Sequence, residues 1–125
     1  MKKISEEKKE LIPLPLDKCQ ECPLYDKKTY NPYNWTGDTD NPDILIMGEA
    51  AGRMGRADKF LQNKLEALGI NKVFSTNTVL CRATEYDEKW KRIKDRKPTK
   101  VEIECCFNNI EAQLNHVKPK VIVPL

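Results

Sequence analysis

The sequence predicts an α/β domain with a central parallel sheet, and three observations predict it. Residues 43–47, Asp-Ile-Leu-Ile-Met, are a continuous apolar run ending at Gly48, the kind of strand that a parallel sheet buries on both faces. Residues 73–80 and 121–123 are two further runs rich in β-branched side chains. Between the three lie two stretches of helical periodicity. The order β-α-β-α-β requires right-handed crossovers, which leave ligands at the C-terminal ends of the strands.

In chain order, residues 1–16 read as an N-terminal tail. A charged run is followed by Leu-Ile-Pro-Leu-Pro-Leu, whose two prolines forbid a regular helix, although its leucines are expected to pack on something. Residues 17–125 read as one domain, the size one modest core supports. Residues 31–42 are rich in Asn, Asp, Pro and Gly and read as a long loop, which in a small domain is functional or anchored. After the first strand, Ala57, Phe60, Leu61, Leu65 and Leu68 fall at helical spacing, so Phe60 reads as a core residue, and Gly69 marks the stop. The second strand delivers Cys81 and Arg82 to its C-terminal end. Thr99 and Glu102 form a capping box for a last helix, which carries Ile103, Cys106, Phe107, Ile110, Leu114 and Val117 on one face and stops at Pro119.

Composition restricts function only broadly. With 39% hydrophobic and 33% charged residues the chain is that of a globular protein, and its apolar runs are too short to cross a bilayer. The N-terminus lacks the apolar core of a secretory signal, which makes the cytoplasm the expected compartment. A net charge of +3 favours polyanions mildly. Lys89, Lys91, Arg92, Lys94, Arg96 and Lys97 crowd one segment, readable as a solvated loop or as a phosphate-binding one.

Five cysteines carry the chemistry: Cys19-x-x-Cys22, then Cys81, then the pair Cys105-Cys106. In a reducing compartment such a set points to a metal site. Cys81 follows a strand end and Cys106 lies on the inward helix face, so four thiolates can converge. Spacing does not choose between zinc and an iron–sulfur cluster, nor does it exclude Cys105 and Cys106 as small buried apolar residues.

The segments CQECPLY (19–25), DILIMGEAAG (43–52), GRADKFL with LEALGI (55–61 and 65–70), FSTNTVLCRAT (74–84) and PTKVEIECCFNNIEAQLNHVKPKVIVPL (98–125) occur in this order. Together they resemble the iron–sulfur, or family-4, uracil-DNA glycosylases. The resemblance implies a three-layer α/β/α uracil-DNA glycosylase-like fold with a central parallel sheet. It implies a [4Fe–4S] cluster on Cys19, Cys22, Cys81 and Cys106, with Cys105 spare. It also implies DNA as partner and hydrolysis of the N-glycosidic bond of a uracil flipped out of the stack. Asn77 matches the base-reading asparagine. Gly48, Glu49, Ala50, Ala51 and Gly52 match the first active-site motif, with Ala51 in the place of a proline. Small residues there let the backbone approach base and phosphate, and Glu49 would orient the attacking water. Read from the residues alone, Asn77 could be a turn residue, although an amide inside an apolar strand needs a partner and so points to function, and Glu49 is equally a structural cap or ion-pair partner.

Two departures temper the implied activity. Between GEAAG and GRADKFL the family carries about ten more residues, including an aromatic that stacks on uracil; here only Arg53 and Met54 intervene. The family also continues past its third strand with a helix, a further strand and a histidine-bearing loop, whereas this sequence stops at Leu125. Its one histidine, His116, reads as a surface helix residue. The expectation is therefore the N-terminal portion of the family fold, with the C-terminal part missing. A further segment or another chain would cover the open sheet edge, and uracil excision would require that completion. The alternative is an inactive iron–sulfur module that binds nucleic acid or a protein.

Overall fold

The computed structural model describes residues 2–51 and 56–125. Its main sheet is built from β2 (Ile44–Ala50), β3 (Val73–Val79) and β6 (Val121–Pro124), joined by helices α2 (Arg56–Ala67) and α3 (Lys100–Val117). β2 is central and parallel to both neighbours, pairing Ile44 with Val73 on one side and with Val121 on the other. The three expected strands are thus present in a parallel arrangement. A fourth, β1 (Thr36–Gly37), adds antiparallel to the outer side of β3. It escapes a reading of periodicity because it is two residues long. Gly37 makes it possible: its φ is +102°, and a Cβ there would run into the Val73 carbonyl.

The N-terminal segment corrects one expectation. Residues Lys2–Leu11 form a helix, α1, because the prolines at 13 and 15 lie beyond it and restrict only the residues after its last turn. The anticipated packing of the leucines is present in part, since Leu14 packs on the core while Leu11 is exposed, and Ile12 is fully buried with Trp35, Leu45, Phe74 and Val117. Each such side chain contributes roughly 1.5–3 kcal/mol by leaving water. From α1, Lys8 Nζ donates to the carbonyls of Tyr33 (2.9 Å) and Trp35 (2.7 Å) and lies 4.9 Å from the Trp35 ring. Residues 31–42 are therefore an anchored loop, as expected, and the Asn41 amide also donates to Val117 O.

Three further differences bear on the site. β2 does not stop at Gly48 but continues to Ala50, so the glycine-led motif starts inside a strand. Phe60 is not core: it is 65% exposed, with Lys64 Nζ 5.4 Å from its ring, and Leu68 lies past the helix end. Among the described side chains of that periodic set, only Leu61 and Leu65 are half-buried. Finally, the basic segment is a β-hairpin, β4 (Thr84–Asp87) and β5 (Arg92–Asp95), rather than an open loop.

The start of α3 fastens that hairpin to the domain. Thr99 Oγ1 accepts from Glu102 N and the Glu102 carboxylate accepts from Thr99 N, the expected capping box. The same carboxylate, fully buried, also accepts two bonds from Arg96, at 2.8 and 2.7 Å. Arg96 is thereby removed from the set of free cations, and Lys94 is shared between Glu85 and Asp87.

The Arg96 hydrogen bonds hold the Glu102 carboxyl below the usual carboxylate range, against the opposing effect of burial. A depressed folded value means the contribution to stability is complete above the unfolded glutamate value of about 4.3 and is lost as pH falls through the folded one. We expect Glu102→Ala to lower stability in urea by about 3 kcal/mol at neutral pH, the lower end for a broken buried pair because Arg96 reaches solvent. The gap between wild type and variant should narrow on acidification. Glu104→Ala, at an exposed position of the same helix, should change the midpoint little, and equal losses at both positions would refute the assignment.

Candidate functional site

At the C-terminal end of β3 the chain passes through Leu80 to Cys81, and α3 turns Cys105 and Cys106 toward the same place. A short 3-10 turn, Cys19–Glu21, brings Cys19 and Cys22 from the opposite side. All five cysteines, with Leu24, Tyr30, Pro32, Val79 and Asn109, line one recess that is partly open to solvent. Each is a free thiol. Residues from three distant stretches of sequence thus converge, as the strand-and-helix reading anticipated.

Polar groups turn toward the sulfurs. Asn31 N donates to Cys81 Sγ at 3.2 Å and Leu80 N to Cys106 Sγ at 3.4 Å. Asn109 Nδ2 donates to Cys19 Sγ at 3.7 Å, while its Oδ1 accepts from Leu16 N. Tyr30 lines the same recess, where burial raises its phenol above the usual range. Asn109 and Tyr30 carry no motif of their own. Their one sequence signal is a polar residue on the inward face of a helix and an aromatic beside a C-x-x-C. Amide donors to sulfur orient and tune thiolate ligands.

Burial favours the neutral form of these thiols. Burial pushes the Cys81 thiol up to about 12 and that of Cys106 up to about 11, and it raises Cys22 and Cys105 as well. A cation reverses this, since a coordinating thiol gives up its proton to the metal. Among the described residues no three cysteine, histidine or carboxylate side chains close on a point as one ion requires. Thiolates suit a zinc ion and an iron–sulfur cluster alike, and the donor set does not choose between them.

The second cluster of predicted residues lies on β2 and β3. Parallel register sets Gly48 beside Asn77, so closely that a Cβ on Gly48 would strike Asn77 Oδ1. The Asn77 amide is half-buried, and no described residue hydrogen-bonds it. Ala50 pairs with Val79 and packs beside Leu24 and Cys22, and Ala51 is buried with its N–H donating to Val79 O. These small residues therefore connect the asparagine to the cysteine recess. Glu49 is not brought to Asn77: alternation along the strand sends it to the other face, where it is exposed. Gly52 lies outside the described residues. His116 is exposed near the end of α3, as expected.

Comparison with known proteins places this arrangement. The model of the uracil DNA glycosylase superfamily matches residues 35–125. The type-4 uracil-DNA glycosylase of Archaeoglobus fulgidus is 31% identical over 86% of this chain and 54% of its own length. That of Pyrobaculum aerophilum is 31% identical over 86% of this chain and 55% of its own. The chain spans about half the length of these curated relatives.

The contact between Gly48 and Asn77 makes a testable demand. In Gly48→Ala the methyl meets the mobile end of a side chain, not backbone, so stability should fall by less than about 1.5 kcal/mol while the Asn77 amide is displaced. The readout is the Asn77 side-chain amide resonance in a nitrogen–proton spectrum. An unmoved resonance would mean that the glycine is not reserved for the asparagine.

Proposed function

Because this chain belongs to the uracil DNA glycosylase superfamily, we propose that it carries the base-reading strand and the cluster-bearing region of an iron–sulfur uracil-DNA glycosylase. Completed by further chain, it would excise uracil from DNA as the first step of base-excision repair. The observation that carries this reading is the joint placement of a five-cysteine recess and the Gly48–Asn77 contact on two adjacent strand ends.

In this reading Cys19, Cys22, Cys81 and Cys106 hold a [4Fe–4S] cluster, and Cys105 is spare. When bound, the cluster ties the 3-10 turn, the end of β3 and helix α3 together and adds its binding free energy to folding. Cys106 is favoured as the fourth ligand because its sulfur receives the Leu80 amide. Free thiols of this number agree with a reducing compartment such as the cytoplasm.

The protein's own groups act on the base. Asn77 offers an amide N–H to uracil O4 and an amide oxygen to N3–H; cytosine presents the opposite pattern and leaves both unpaired, so it is rejected. Gly48 leaves room for the base against that amide, and Ala50 and Ala51 keep side chains out of its approach. Glu49, on the opposite face, is poorly placed to orient water for a base held by Asn77. That observation favours a second reading, in which the chain without further segments is a non-catalytic iron–sulfur module binding nucleic acid or a protein.

Anaerobically purified protein should be brown and carry iron and sulfide equivalent to one [4Fe–4S] cluster. Cys106→Ser should lose the cluster while Cys105→Ser keeps it. Full zinc occupancy without iron would sink the metal assignment.

Excision separates the two functional readings. Without a positioned donor to the departing uracil anion, a loss of about a hundred- to a thousand-fold in rate is expected. The chain should therefore release little or no uracil from a uracil-containing oligonucleotide, scored by strand cleavage after alkali. A form extended with any downstream sequence its gene encodes should release it, and Asn77→Ala should abolish that gain. An extended form as inert as the chain itself would favour the non-catalytic module.

A further inference from the structure

The β4–β5 hairpin takes no part in the recess or in the Gly48–Asn77 contact, yet it is the most conspicuous apolar projection from the domain. Trp90 at its turn is 64% exposed, and Tyr86 and Ile93, opposite one another across the strands, are 57% and 53% exposed. A hairpin kept for core packing would turn these side chains inward.

The tip is nevertheless held in place. Asp87 Oδ1 accepts from the backbone N–H groups of both Lys89 and Trp90, and Lys91 completes the turn at a φ of +49°. At the base, Arg82 pairs with Asp95, Arg96 N and Nε donate to the carbonyls of Ala83 and Thr84, and the Arg96–Glu102 pair ties the hairpin to α3. The indole is thus presented on a fixed arm that starts just past Cys81.

Charge decides what the arm fits. Lys94 and Arg96 are consumed by carboxylates, but Lys89, Lys91 and Arg92 at the tip have no carboxylate within ion-pair distance among the described residues. Lys89 Nζ lies over the Trp90 ring, 5.5 Å from its centroid. One of these cations thus lies over an exposed aromatic ring, and the other two directly follow Trp90 in sequence, opposed at the tip by Glu88. An aromatic platform bracketed by phosphate-seeking cations is the chemistry that holds single-stranded nucleic acid, because every base has a face to stack and every linkage a charge to neutralise.

We propose that the hairpin is a single-strand contact: Trp90 stacks on an unpaired base while Lys89, Lys91 and Arg92 engage the flanking phosphates. The partner is DNA with locally unstacked bases. The proposal rests on the reading of the chain as a protein that acts on DNA, and it assigns to the hairpin a role separate from base reading at Asn77.

Trp90 is its own reporter, since Trp35, the other tryptophan, is buried in the core. Titrating the anaerobically purified chain with a thymine oligonucleotide at low salt should quench the Trp90 emission, to the same extent in Asn77→Ala. Trp90→Ala should bind about ten-fold more weakly, with its Trp35 emission unchanged as evidence of folding, and Trp90→Phe should recover much of the affinity. Replacing Lys89, Lys91 and Arg92 by Ala should flatten the plot of log affinity against log salt by about 2, at roughly 0.7 for each single-strand phosphate contact. Oligonucleotide binding with unchanged Trp90 emission and equal affinity in Trp90→Ala would overturn the hairpin contact and leave the DNA-acting reading standing. The same holds for binding to duplex alone. No DNA binding by wild type at low salt would overturn both, in favour of a protein partner for the arm.

Discussion

Pairing Ile44 with Val73 on two parallel strands determines most of what lies beyond them. With that register, Gly48 falls beside Asn77 and Ala50 beside Val79, and β3 releases the chain through Leu80 to Cys81 at the rim of the recess. A slip of one residue would move Asn77 away from Gly48 and turn Phe74 off its packing with Trp35, Leu45 and Val117. The fully buried Leu45 and Phe74 hold the register from within, and the position of the asparagine is a consequence of their burial.

The recess is built on the opposite principle. Its thiols are gathered in one recess, and burial disfavours their charged form. The backbone amides of Asn31 and Leu80 and the side chain of Asn109 lean toward sulfur and lessen that penalty. Leu24 and Val79 line the recess, and Ala50 packs against the cluster they form with Cys81 and Ala83, so the ends of the strand pair and the cysteines share one packed unit.

Elements with strong local signals are legible in the sequence: the apolar run of β2, the β-branched run of β3, and α3 with its capping box. The convergence of the cysteines comes with those elements, since a strand end and a helix face fix directions as well as positions. The features that escape the sequence are those decided by tertiary contact. Helix α1 sits just ahead of prolines that exclude a helix only beyond Leu11. β1 exists only because Gly37 can approach Val73, and Phe60 obeys a helical spacing whose face finds no deep core. Arg96 reads as one more cation in a basic run, although Glu102, six residues on, is buried against it. The position of Glu49 depends on how far β2 continues, a matter of pairing rather than propensity.

On the far side of the sheet, β6 pairs with β2 alone among the described residues, and its four residues are exposed. An apolar ribbon with open backbone groups is a template for unwanted strand addition, and concentrated solutions of such a chain are prone to self-association. Pro124 limits the hazard. Having no N–H, it removes one rung from any ladder an incoming strand would build, so the edge is weakest as a template near Leu125. One missing donor thereby confines the stretch that can seed strand addition to residues 121–123, too few rungs to hold a foreign strand firmly on their own.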